Sequence, residues 1–106
     1  MNRLLILALV FFNAQAFAAG DSDSGQQKSQ ACAACHGPDG NTPTGPDFPR
    51  LAGQHYDYLL KALRDYKSGA RKNPIMGAQV GGLNTQDMAD LAAFYSRQKG
   101  SLHVIR

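Results

Sequence analysis

Cys32-Ala33-Ala34-Cys35-His36 constrains this chain more than any other stretch: two thiols three residues apart with a histidine directly after them is the spacing that holds a porphyrin covalently. Residues i and i+3 share a face of a helical turn, so both thiols can add to the two vinyl groups along one porphyrin edge. The following side chain then stands over the iron, where a neutral imidazole nitrogen is a common axial ligand. Cys32 and Cys35 are therefore the candidate attachment points for one haem c, and His36 the candidate proximal iron ligand.

The beginning of the chain points to export. Arg3, an unbroken apolar run over 4–12 and the small-residue triplet Ala16-Phe17-Ala18 have the layout of a secretory signal peptide. The run is too short to cross a bilayer. Residues 1–18 read as a cleaved leader and residues 19–106 as one domain of 88 residues in the periplasm; an uncleaved anchor is the alternative. Outside the cytoplasm a pair of cysteines belongs in a disulfide, on a metal or on a cofactor.

That domain is poor in core-forming residues. Its seven Leu, two Ile, two Val and two Phe make up about 15% of it, a level that gives weak folding capacity. A buried porphyrin supplies on the order of several hundred Å² of apolar area, at about 25 cal/mol per Å² enough to offset the shortfall. The apoprotein is expected to fold poorly. Formal charge is +3 for the whole chain, and residues 19–106 carry 10 basic and 8 acidic groups. The basic excess is local, in Arg50, Lys61, Arg64, Lys67, Arg71 and Lys72, and reads as a solvated helix face before it reads as a docking patch for an acidic partner. Nucleic acid is not expected as a partner in that compartment.

The chain divides into periodic and broken stretches. Residues 21–30 suit a capped helix running into the cysteine motif. Gly37, Pro38, Gly40, Pro43, Gly45, Pro46 and Pro49 then forbid regular structure until about Leu51. From Gln54 to Ser68 the apolar positions Tyr56, Leu59, Leu60, Leu63 and Tyr66 recur at helical steps, with Gly69 as the stop. A second loop spans 70–82. Asn84 or Thr85 caps a last helix with Met88, Leu91, Phe94 and Tyr95 inward and Gly100 at its end. No strand pattern and no repeat occurs, so the fold class is all-α, three helices with two long loops.

A second axial ligand could come from Met76, Met88, His55 or His103. Met88 sits in helical register with Leu91 and Tyr95, where a methionine is core filling. Met76 lies in the second loop, where Asn73-Pro74-Ile75 stiffens the approach and Gly77 lets backbone come close to a flat group. Met76 is the expected ligand, and His55 and His103 read as surface residues.

Cys32 to Gly40, Phe48-Pro49-Arg50-Leu51-Ala52-Gly53-Gln54, Asn73-Pro74-Ile75-Met76 and the helix Asp87 to Tyr95 together resemble a small bacterial class I cytochrome c. The resemblance covers almost all of residues 19–106 and implies a cytochrome c fold wrapped around one haem. It implies that Pro46, in the Gly45-Pro46 segment, offers the carbonyl that accepts the Nδ1 proton of His36. It also implies that Gly25 packs against Phe94 where the first and last helices cross. Ile75, beside Met76, is the expected packing contact on the haem. One departure stands out: Gln26, Gln27, Lys28, Ser29 and Gln30 replace usually apolar positions, so that crossing is expected to be weak.

The leading function is a one-electron carrier, a monomer shuttling between redox proteins, with a membrane or periplasmic donor and a terminal acceptor. His–Met ligation favours the ferrous state and lets six-coordinate iron change oxidation state without exchanging a ligand. The alternatives are a haem enzyme or gas sensor in which a diatomic or peroxide displaces Met76, and a dithiol or zinc site at Cys32 and Cys35. Against the first, Asn73 and Gln79 are the only polar side chains at hand and neither is an acid or base. Against the second, the chain lacks the βαβ pattern of thioredoxin-like chemistry.

Overall fold

Asp21 opens the first helix, α1 (Ser22–Lys28), as its place ahead of the polar run predicts: its carboxylate accepts from the N–H groups of Asp23 and Ser24. The computed structural model describes residues 6, 8–10, 19–100 and 102. The leader cleavage assigned to Ala18 and the reading of His103 lie outside the described residues. Among those residues all regular structure is helical, and no helix is long and apolar enough to cross a membrane.

The expected continuous first helix is broken. The Ser29 hydroxyl donates to the Gln26 carbonyl at 2.7 Å and its N–H turns to the same oxygen at 3.3 Å, a tight i to i−3 closure that ends α1. A new helix, α2 (Gln30–His36), starts at once and carries the cysteine motif. Its stop is Gly37 at φ 87°, where a side chain would collide with the Thr42 carbonyl.

Helix α3 (Tyr56–Ser68) follows the predicted stripe: Leu59 is buried, Tyr56, Leu60 and Leu63 pack partly buried on the core, and Gly69 closes the helix in the left-handed conformation. The second loop departs from expectation, because it contains a helix, α4 (Pro74–Val80). Asn73 and Pro74, read as loop-stiffening residues, are a start signal. The Asn73 side chain accepts from the N–H groups of Ile75 and Met76, and proline fits the first helical position because its missing N–H would have no partner there.

Asn84 and Asp87 form a capping box at the start of α5 (Thr85–Arg97). The helix ends three residues short of Gly100, where Gln98 folds its side-chain amide back onto the Phe94 carbonyl at 3.0 Å. Gly100 is needed for another reason: a side chain there would strike Ala52 and Asn41.

Helix α5 is the spine. Its buried residues Leu91, Ala92, Phe94 and Tyr95 form a cluster with Leu59 of α3, and α4 packs on α3. The crossing of α1 over α5 is close, since a Cβ on Gly25 would lie 2.0 Å from the Asp90 carbonyl oxygen and 2.7 Å from the Phe94 Cβ. Gly25 does meet Phe94 there. The crossing is also tied by charge: Lys28 reaches both Asp87 at 2.9 Å and Asp90 at 2.6 Å. The Asp21 N–H and the Gln86 side chain each donate to Asp90 at 2.8 Å. The polar residues expected to weaken this contact include the one that clamps it.

Candidate haem site

Helix α2 carries Cys32, Cys35 and His36, with His36 its last residue. Both cysteines are unpaired thiols, half-buried, and His36 is buried. Cys32 faces the core, packed on the cluster that holds Leu59, Phe94 and Tyr95. Burial pushes its thiol above the ordinary cysteine value, so it stays protonated at neutral pH.

The loop after His36 folds back over the helix end. The Thr44 N–H donates to the Cys35 carbonyl at 3.0 Å and the Thr44 hydroxyl to the Ala34 carbonyl at 3.1 Å, satisfying two acceptors of the last turn. Gly40 then accepts from the N–H groups of Leu51 and Ala52, at 2.8 and 3.2 Å, which closes the loop. That closure sets residue 49 beside the imidazole.

The carbonyl at the His36 Nδ1 is that of Pro49, at 2.8 Å, and not that of Pro46. Pro46 lies exposed in a turn in which Gly45 accepts from the Phe48 N–H, and this turn lays the Phe48 ring edge-on to His36 at 6.3 Å. Of the loop prolines, Pro49 adjoins the point where the chain returns to burial, with Leu51 half-buried and Ala52 fully buried; that was the available signal. A carbonyl can only accept, so Nδ1 carries the proton and Nε2 keeps its lone pair. That leaves Nε2 as the ring nitrogen able to act as an electron-pair donor.

Met76 is half-buried on the first turn of α4 and Ile75 beside it is 57% exposed. Helix α4 is held from α3: the Lys67 ammonium donates to the carbonyls of Gly81 and Leu83 just beyond its C-terminus. Helices α2 and α4 do not pack extensively on each other, so the imidazole and the thioether come from two separately anchored elements. Met88 is buried on α5 at 4% exposure, amid the apolar residues that sequence periodicity placed around it.

The donor types present, two thiols three residues apart on α2, an oriented imidazole and a thioether on the first turn of α4, fit a covalent haem. Among the described residues no group of three or more His, Cys, Asp or Glu side chains is placed to hold a metal ion. The basic face is largely engaged within the chain. Lys61 pairs with Asp65, Lys67 caps α4, and the Arg71 guanidinium lies 4.7 Å from the Tyr66 ring centre.

Sequence comparison decides between chemistries that share these donors. The family model for cytochrome c matches residues 22–97. The chain belongs to the cytochrome c family, and its cofactor is covalently bound haem c. It is 46% identical over 104 residues to cytochrome c4 of Pseudomonas aeruginosa, covering 96% of this chain and 51% of that one. It is 40% identical over 84 residues to cytochrome c-554(548) of Halomonas halodenitrificans, covering 76% of this chain and all of that one. Among solved structures, reduced recombinant cytochrome c4 from Pseudomonas stutzeri superposes with a TM-score of 0.74 at 46% identity, over 79% of this chain and 48% of that one. The chain thus spans about half the length of the cytochrome c4 proteins it matches. Its helices and loop closures give the cytochrome c fold expected from the sequence.

Proposed function

We propose that this cytochrome c is a periplasmic single-haem carrier that passes one electron at a time between redox proteins. Residues 19–106 form the carrier and residues 1–18 its export leader. In this reading Cys32 and Cys35 are the thioether attachments, His36 and Met76 the axial iron ligands, and Ile75 an apolar contact on the haem. Haem iron supplies the one-electron couple.

The observation that carries the proposal is the 2.8 Å bond from the His36 Nδ1 to the Pro49 carbonyl. It fixes the tautomer and aims Nε2, which is what a permanently bound ligand requires. The side chains around Met76 favour a carrier over an enzyme or sensor. Asn73, one of the two polar side chains at hand, is committed to capping the N–H groups of Ile75 and Met76. Its amide is neither acid nor base, so it cannot protonate an incoming oxygen species.

The test is a pyridine haemochrome spectrum on purified protein together with acid acetone extraction and intact mass. A c-type band, haem that stays with the protein and a mass one haem above that of the exported chain support attachment at the cysteine pair. Haem that extracts into acetone would defeat it.

A further inference from the structure

The Tyr95 hydroxyl is a buried polar atom without a hydrogen-bond partner, and Tyr95 as a whole is only 3% exposed. Buried hydroxyls in folded proteins nearly always find a partner. The ring cannot swing away to find one. A Cβ on Gly40 would sit 2.7 Å from the Tyr95 Cδ1, so that loop lies tight against the ring, and the Phe94 ring tilts against it with centroids 5.0 Å apart. The Tyr95 carbonyl accepts from the N–H groups of Gly53 at 3.0 Å and Gln98 at 3.2 Å, which pins the backbone.

The side chains of Cys32 and Ser29 lie close enough to the hydroxyl to act on its ionisation, and neither is in hydrogen-bonding geometry with it. Ser29 gives its proton to the Gln26 carbonyl at 2.7 Å, and its oxygen lone pairs make it the competing acceptor for the phenol. Cys32 packs directly on the cluster that contains Tyr95. Once the Cys32 sulfur is part of a thioether it has no proton of its own and can only accept. A phenol held beside it is then a donor facing an acceptor, where phenylalanine would leave the sulfur unbonded. Burial, with the neighbouring Cys32 adding to it, holds the phenol protonated far above neutral pH, so the donor is always present.

We propose that Tyr95 is a positioning residue for the cofactor, donating a hydrogen bond from its hydroxyl to the sulfur of Cys32 and thereby raising the reduction potential of the haem. The proposal rests on the reading of Cys32 as an attachment point. A donor on that sulfur draws electron density from the edge of the porphyrin and favours the state that holds one electron more.

The experiment compares wild-type holoprotein with Tyr95→Phe, Ser29→Ala and the exposed control Tyr58→Phe. It reads midpoint potential, the carbon–sulfur modes in the resonance Raman spectrum and thermal midpoint. Tyr95→Phe should lower the potential and shift a carbon–sulfur band without raising the thermal midpoint, while the other two leave potential and band in place. An unchanged potential and band in Tyr95→Phe, with a higher thermal midpoint, would show an orphaned hydroxyl whose removal only helps folding, and would overturn the proposal. So would a Ser29→Ala variant that reproduces the Tyr95→Phe shifts, since the partner would then be Ser29. Haem extractable from wild-type protein is a separate outcome, and overturns the attachment at Cys32 itself.

Discussion

Replacing Gly25 by alanine should loosen the first helix from the last. The new methyl carbon would lie 2.0 Å from the Asp90 carbonyl oxygen, 2.6 Å from its carbon and 2.7 Å from the Phe94 Cβ. Two of these three atoms are backbone of the spine helix and cannot rotate away. Ordinary contact begins at 3.4 Å, so α1 must retreat by about 1.4 Å. A shift of that size takes the 2.8 Å bond from the Asp21 N–H to Asp90 out of range. Overpacking costs roughly 1–3 kcal/mol. The lost bond to the carboxylate adds about 1.5–3, and the better helix propensity of alanine returns about 1. The net loss is about 1.5–5 kcal/mol, or a fall in thermal midpoint of at least about 6 °C for a domain of this size. Far-UV circular dichroism of the ferric holoprotein measures it. Because the damage runs partly through Asp90, Gly25→Ala and Asp90→Ala together should cost less than their sum. A fall below about 3 °C, or strict additivity, would refute the close crossing as the source of stability.

Met76→Ala should abolish the weak near-infrared band of a sulfur–iron bond, lower the reduction potential and open the iron to cyanide, whereas Met88→Leu, which conserves volume in a core position, should leave all three in place. Loss of the band in Met88→Leu alone would transfer the ligand role to α5. Cys32→Ala with Cys35→Ala should leave a chain with little stable helix, because the haem supplies much of the buried apolar area; a cooperative transition with native helicity would count against that. Stability should depend on pH through the Lys28 clamp. The Asn84 N–H and Lys28 hold Asp87 below the usual carboxylate range; Asp90 is held there because the Asp21 N–H, Lys28 and Gln86 outweigh the opposing effect of burial. Their contribution is present above about pH 4 and is lost as pH falls through the lowered values. Lys28 is raised by its bonds to Asp90 and Asp87, so its contribution is full below the ordinary lysine value of about 10.4 and lost as pH rises through the raised one. Lys28→Met should move the acid midpoint to higher pH and flatten the alkaline limb, and superimposable curves would exclude the clamp.

What the sequence made legible was local. The cysteine motif, the α3 stripe with its Gly69 stop and the Asn84 cap of α5 all depend on residues within a few positions of one another, and each stands where periodicity and capping rules put it. Two misreadings came from residues with more than one use. Asn73-Pro74 serves as well to open a helix as to stiffen a loop, and the choice turns on whether the following residues can continue the helix, which Ile75 and Met76 do. Ser29 can join a helix or end one, and here its hydroxyl takes the Gln26 carbonyl and divides the helix in two. Choosing Pro49 over Pro46 needed the fold of the whole loop, because the distance from His36 is set by the return of Leu51 and Ala52 to Gly40 and not by any turn signal nearby.

The crossing of α1 and α5 shows the deeper limit. Apolar periodicity scores Gln26 to Gln30 as a poor packing face, and by area it is one. The contact is made in another way: glycine removes the side chain that would separate two backbones, and the backbones then approach closely enough for Lys28 to reach Asp87 and Asp90. Asp90 stands 62 residues from Lys28 and 69 from Asp21, so no local pattern links them. A buried carboxylate is tolerated only where its oxygens are supplied with donors, and Asp90 has three, from a backbone amide, a side-chain amide and an ammonium. With so few aliphatic residues the chain can hold its two terminal helices together by close backbone approach and a satisfied polar network, and so leave the apolar side chains of α3 and α5 for the face on which Cys32 packs.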